Sequence, residues 1–276
     1  MSRQHPPFDP LAVAGLPAFG ALAHRMRDHA YALGLNGFIY TAPWVLTRNT
    51  RRYSATLLLS ASGENFEVGC EGVVLRAAAA WVPAMVPRDL RALDVALVSV
   101  NVAPHHPHYA RLQRAGLTRP VALDRSAFAS WDADLWTAYR GECGTAAAHT
   151  LFEALVASAA QQLTGHAEVD ARSRRILGLL GDQPDCSLPT LATRLGLSYD
   201  RTSHLVRSAL GLPLKSYAHW RKMMHAWDAM QSGLNLTQSA QAGGFADSAH
   251  LSRSWARAMG MPPSYLRDRT KVWVSR

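Results

Sequence analysis

The chain has 276 residues, 48% hydrophobic and 18% charged, which excludes a disordered protein and leaves room for two globular domains. No window approaches the roughly 18 uninterrupted apolar residues of a membrane span. The opening MSRQHPPFDP lacks a signal-peptide run and three cysteines cannot frame a disulfide-rich fold, so a cytoplasmic protein with reduced thiols is expected. The net charge of +9 lies wholly in residues 171–276, with 15 Lys+Arg against 6 Asp+Glu, whereas residues 1–170 hold 14 of each; a positive field at one end points to a polyanion partner.

In chain order, Leu16–Leu33 reads as one helix interrupted by Pro17, Gly20 and Gly34. From Gly37 to about Pro104, apolar runs (FIYTAPWVL, ATLLLS, FEVG, VVLR, AAAAWVPA, DVALVSVNV) alternate with turn signals, the texture of strands in a sandwich or barrel. The clearest strand is Asp94–Val102, with Val95, Leu97, Ser99 and Asn101 on one face and Ala96, Val98, Val100 and Val102 on the other. Helical spacing begins at Ser126 with Phe128, Trp131, Leu135 and Tyr139, and a second helix is expected over Ala146–Gln162. Thr164–Asp170 reads as a linker, so the domains are expected at 1–166 and 171–276, with strands about 37–104 and helices about 126–163 in the first.

After a short helix at Arg172–Leu180, residues 187–211 have the arithmetic of a helix-turn-helix. Ser187 is placed to N-cap the first helix, Ala192 lies four residues before the turn glycine Gly196, and Ser198 is placed to cap a second helix, Tyr199–Leu210. Leu191, Leu195, Leu197 and Leu205 are expected between the two helices. A second copy spans 236–260: Ala240 precedes Gly244 by the same four residues, Phe245 follows, and Leu251 and Trp255 supply the buried face. Its turn reads as one residue longer. Between the copies, 214–233 carries Tyr217, Trp220, Met224, Trp227 and Met230 on one stripe, a helix able to hold both units at fixed separation. Two such units on a rigid spacer suit successive major grooves, about 34 Å apart.

This pair of units, with Phe245 after the turn, Arg253, and the closing run Gly260, Pro262, Pro263, Tyr265 and Arg267, resembles the C-terminal domain of the AraC/XylS transcription regulators over residues 172–270. The resemblance implies sequence-specific binding of double-stranded DNA by a bacterial regulator that is not an enzyme. It implies an α+β chain of two domains: an N-terminal cupin-like β-barrel with following helices for sensing and dimerisation, then an all-α domain. It further implies a homodimer on direct or inverted half-sites, an unknown small-molecule effector, and activation through RNA polymerase. The base-facing positions carried over are Asp200, Ser203 and His204 in the first unit and Ala249, His250 and Arg253 in the second, with Ser248 beside them. Arg253 is singled out because arginine bonds O6 and N7 of guanine together; Arg201, Arg207, Lys215 and Arg257 suit phosphates. Three positions depart from the pattern. Thr202 and Ser239 stand where apolar residues are usual, and Gly243 adds a second turn glycine, so the second unit's first helix is expected to be short of core residues and helix propensity.

In the N-terminal domain, Arg48, Arg51 and Arg52 either clamp an anionic effector or form an exposed charged strand edge, and Trp44 and Trp81 either line its pocket or fill the core. His105, His106 and His108 lie within four residues, but Pro104 and Pro107 break the geometry and no Cys or carboxylate adjoins them, so neither metal nor cofactor is assigned. The alternative function is a cupin-type enzyme with an appended DNA-binding domain; the strand residues lack the histidines it needs.

Overall fold

The computed structural model describes residues 27–114, 117–164, 171–182 and 186–275. Its N-terminal part is a nine-stranded sheet: β1 (Asp28–Ala32), β2 (Gly37–Thr50), β3 (Ala55–Ser60), β4 (Phe66–Cys70), β5 (Val73–Ala77), β6 (Ala79–Val82), β7 (Arg88–Val102), β8 (Val121–Ala122) and, from the far end of the chain, β9 (Val272–Ser275). The hydrogen-bonded order is β8-β6-β3-β7-β2-β1-β9, with β4 pairing to β7 and to β5. All pairings are antiparallel except β1 with β9.

Two expectations are corrected. The path is open rather than the closed cupin-like barrel expected, because one edge of β1 is taken by the C-terminal strand β9 and the other end stops at the two-residue β8. The tail of the expected helix Leu16–Leu33 is strand β1, whose residues pair with β2 on one side and β9 on the other; residues 16–26 lie outside the described residues, as do 165–170 of the expected linker. Tertiary pairing has overridden local propensity there.

The two faces of the sheet head two different cores. Ile39, Leu57, Trp81, Val98 and Val100 face a layer built from α1 (Tyr109–Arg114), a 3₁₀ turn (Arg125–Trp131), α2 (Asp132–Tyr139) and α3 (Thr145–Thr164). Tyr40, Leu58, Ala80, Leu90 and Leu97 face the opposite way. The alternation read in Asp94–Val102 holds along β7, with Ala96, Val98, Val100 and Val102 in the first core and Val95 and Leu97 in the second. The C-terminal third is helical: α4 (Ala171–Asp182), α5 (Leu188–Leu195), α6 (Tyr199–Leu210), α7 (Leu214–Gln231), α8 (Leu236–Ala242), α9 (Ser248–Met259) and α10 (Pro263–Arg267). Among the described residues no helix is long and apolar enough to cross a membrane.

Candidate nucleic-acid interface

Two helix pairs, α5–α6 and α8–α9, present the candidate interface, and local chemistry fixes both. Ser187 accepts from the Thr190 N–H to cap α5, Gly196 closes it at φ +63° with open space where a Cβ would stand, and Ser198 accepts from the Arg201 N–H to cap α6. In the second pair Asn235 and Gln238 form a reciprocal capping box on α8, Gly244 turns the chain at φ +67°, and Asp247 accepts from the His250 N–H at 2.6 Å to cap α9. From the left-handed glycine to the next cap is two residues in the first unit and three in the second.

The departures Thr202, Ser239 and Gly243 turn out to be fitted rather than weak. Thr202 and Ser239 are fully buried, and each hydroxyl donates to the carbonyl four residues back, Ser198 and Asn235, at 2.9 Å, so neither is left unsatisfied. Gly243 ends α8, and a Cβ on it would lie 2.7 Å from the Lys222 carbonyl and 2.8 Å from the Ala226 Cβ; the bare glycine lets the turn lie directly on α7. The expected deficit in helix α8 is therefore offset by close approach. Lys222, which the sequence reading passed over, donates from Nζ to the Gly244 carbonyl at 3.0 Å and ties the second turn to α7.

The expected recognition helices carry their buried residues on one side only: Thr202, Val206, Ala209 and Leu210 in α6, and Leu251, Trp255 and Ala258 in α9. Leu195, Leu197 and Leu205 are only half-buried around them. Asp200, Arg201, Ser203, His204 and Arg207 on α6, Ala249, His250, Arg253 and Arg257 on α9, and Lys215 at the start of α7 are exposed; Ser248 is half-buried. Asp200 sits in the first turn of α6 and Arg207 in its last, each matched to the helix dipole. The His250 ring packs edge-on against Phe245 and tilted beside His219. Burial first, then the His250 charge, lowers the His219 pKa. The spacer α7 has 18 residues, about 27 Å at 1.5 Å per residue.

The N-terminal candidates do not assemble as one site. Arg48 and Arg51 are exposed, whereas Arg52 turns inward and is buried. Trp81 is fully buried in the core on the helical side, and Trp44 is half-buried on β2. His105 pairs with the Tyr217 hydroxyl, His106 with Glu153 at 3.2 Å, and the His108 N–H donates to His106 Nδ1. Desolvation lowers the pKa of all three.

A cavity of about 250 Å³ lies where the sheet meets α7 and α9, lined by Phe38, Tyr40 and Arg52 from one side and Met224, Trp227 and Trp255 from the other. Beside it the second unit is fastened to the sheet. The Arg51 N–H donates to the Arg257 carbonyl and the Asp28 N–H to the Lys271 carbonyl, both at 2.9 Å. The Asp28 carboxylate accepts from the hydroxyls of Tyr40 and, at 3.0 Å, Tyr265. Burial raises its pKa to about 6 against the lowering effect of those two bonds.

A family model described as a helix-turn-helix domain matches residues 191–269. No curated protein matches the chain. Among solved structures, ToxT from Vibrio cholerae O395 has a similar fold, at a TM-score of 0.51 and 10% identity over 83% of this chain and 95% of that one. So does ToxT bound to (E)-4-(8-methylnaphthalen-1-yl)but-3-enoic acid, at 0.53 and 8% identity over 84% and 97%. Unsaturated fatty acid-bound ToxT from strain SCE256 is similar at 0.51 and 10% identity, over 83% and 93%.

Proposed function

We propose how this chain, a DNA-binding transcription regulator whose residues 191–269 form an AraC-type helix-turn-helix domain, reads its operator and is controlled. Helices α6 and α9 enter successive major grooves on one side of a duplex, held apart by α7. Asp200, Ser203 and His204 from α6, and Ala249, His250 and Arg253 from α9, face base edges, with Ser248 at the groove entrance. Arg201, Arg207, Lys215 and Arg257 hold phosphates. The observation that carries this reading is the repeated construction: two capped helices, each closed by a left-handed turn glycine, each with a polar face exposed and its apolar face buried.

The protein acts in the cytoplasm as a homodimer, and activates by contacting RNA polymerase. A small-molecule effector occupies the cavity between the sheet and α7–α9, where it touches both parts of the chain. The ToxT structures with organic acids bound, which share the fold, support small-molecule control. The assignment needs no catalytic step.

Selection of bound sites from a random DNA library, with wild type and Arg253→Ala in parallel, tests the reading. The variant is expected to lose discrimination at one base pair, about 1–3 kcal/mol, with the rest of the preferred site unchanged. An identical preferred site would remove Arg253 from base recognition; no preferred site in the wild type would overturn sequence-specific reading.

A further inference from the structure

The loop from β2 to β3, residues 51–54, lies against the exposed face of α9. The Arg51 N–H donates to the Arg257 carbonyl at 2.9 Å, so the loop starts on the last turn of that helix. Two residues on, the Tyr53 ring packs tilted against His219 of α7, with centroids 5.6 Å apart. His219 in turn lies 5.6 Å from the Phe245 ring and 6.3 Å from His250, an exposed residue in the first turn of α9. His250, Arg253 and Arg257 are all exposed and follow one another at three and four residues, so they stand in one row along the helix. The loop therefore meets this row at both ends: Arg51 at Arg257, and Tyr53, through His219, at His250.

The surroundings are cationic. Burial lowers the His219 pKa, and the charges of His250, Lys222 and Arg257 lower it further. Arg51 is exposed, and among the described residues its guanidinium makes no ion pair. Glu71 and Asp89 line the same surface depression as Arg51 without pairing with it. The next residue, Arg52, turns the opposite way. It is buried, donates to Asn101, shares a neutral network with the buried Arg88 through Thr56, and lines the 250 Å³ cavity. Consecutive arginines of one loop thus serve different places, Arg52 the cavity wall and Arg51 the solvent beside the polar row of α9. An exposed arginine gains little from a lone surface acid, but beside a polyanion it displaces a condensed counterion.

We propose that Arg51 contacts DNA: it holds the backbone phosphate next to the one taken by Arg257, so that the N-terminal sheet touches the duplex that α9 reads. The inference rests on reading α9 as a recognition helix, and adds a contact from outside the helix-turn-helix match at residues 191–269. Two arginine side chains that start from hydrogen-bonded backbones reach neighbouring phosphates of one strand. A phosphate contact fixes position and orientation on the duplex and carries no base preference of its own. Arg51 therefore sets the sheet, and not the helical domain alone, in register with the operator.

Binding of the full chain to its selected site, measured from about 50 to 200 mM salt, tests this with Arg51→Gln, Arg51→Lys and Arg76→Gln. Arg76 is exposed on β5, three strands along the sheet from β2. Arg51→Gln is expected to bind about five- to tenfold more weakly at about 0.1 M salt, with the slope of log K against log salt reduced by about 1 and the preferred site unchanged. Arg51→Lys keeps the cation and should keep the wild-type slope. Arg76→Gln removes the same charge elsewhere on the sheet and should match the wild type. Ethylation of one phosphate at the edge of the α9 patch should weaken the wild type and leave Arg51→Gln unaffected. A wild-type slope or ethylation pattern in Arg51→Gln, an equal loss in Arg76→Gln, or an altered base preference overturns the contact while the reading of α6 and α9 stands. A wild type that binds no DNA overturns that reading, and the contact with it.

Discussion

The two helix-turn-helix units follow one plan but join two different hydrophobic cores. The first unit's buried residues Leu191, Val206, Leu210 and Trp220 run into the core that holds Trp81, Phe152 and the helical layer. The second unit's Phe245, Leu251, Trp255 and Tyr265 run into the core on the other face, with Tyr40, Leu58 and Leu97. Only the second is stitched to the sheet by a β-ladder, through β9 on β1, and by the buried Asp28. The two units are therefore unequally coupled to the sheet. Trp255 and Met259 of α9 wall the cavity and Tyr265 of α10 bonds Asp28, whereas α6 packs against α4, α1 and α7.

The largest expected effect comes from the glycine that seats the second unit. A Cβ on Gly260 would lie 2.6 Å from Thr47 Cγ2 at φ +79°, combining a clash with the sheet and a left-handed backbone. Gly260→Ala should cost roughly 3 kcal/mol in urea unfolding. Gly196→Ala, at φ +63° but in open space, should cost about 1 kcal/mol. Equal losses would mean that the second unit does not rest on the sheet as described.

The asymmetry also gives a pH dependence. The folded protein holds the Asp28 proton up to about pH 6, against an ordinary value of 3.8. The native state therefore binds more protons, so this group's contribution to stability falls as pH rises from about 4 to 6, by about 3 kcal/mol, and is level above. The groups facing it are Tyr40, Tyr139 and Tyr265, whose own pKa values are raised by burial and by its charge. Asp28→Asn should remove that slope from unfolding curves measured between pH 4 and 8; a variant with the wild-type slope would show that other groups set it.

A smaller difference lies in the caps. Asn235 holds α8 through two bonds of 2.9 and 3.0 Å in a reciprocal box, while Ser198 holds α6 through one of 3.4 Å. Asn235→Ala should cost about 1.5 kcal/mol and Ser198→Ala about 0.5, read by chemical denaturation. The reverse order would make the first unit the more tightly capped.

What the sequence revealed follows from how local each signal is. Gly196, Ser198 and Gly244 are legible because turn and cap chemistry act within four residues. The β7 alternation is legible because successive strand residues point to opposite faces, whereas of the expected α7 stripe Tyr217, Trp220 and Met230 are buried, Met224 and Trp227 are half-buried, and the buried Met223 and Ala226 lie off it because α7 packs between two cores. Strand β1 reads as the tail of a helix because its run of five residues is too short to show a strand period on its own, and of its two pairings only that with neighbouring β2 is local, the other, with β9, lying some 240 residues away. Thr202 and Ser239 looked like gaps in the core because a residue type does not disclose that its hydroxyl bonds back along its own helix. Arg48, Arg51 and Arg52 read as one cluster; only the course of the chain after β2 turns Arg52 inward, toward Asn101, and leaves the other two outside. Asp28 and Arg88 carry no motif at all, since their meaning comes from burial.

The central claim is that two equivalent helices read neighbouring turns of one duplex. Hydroxyl-radical footprinting of the wild type on its selected site measures this most directly. Two protected patches centred about 10–10.5 base pairs apart on one face of the helix are expected, and Arg253→Ala should weaken the patch under α9 while leaving the patch under α6. A single patch, or two patches on opposite faces, would contradict the account.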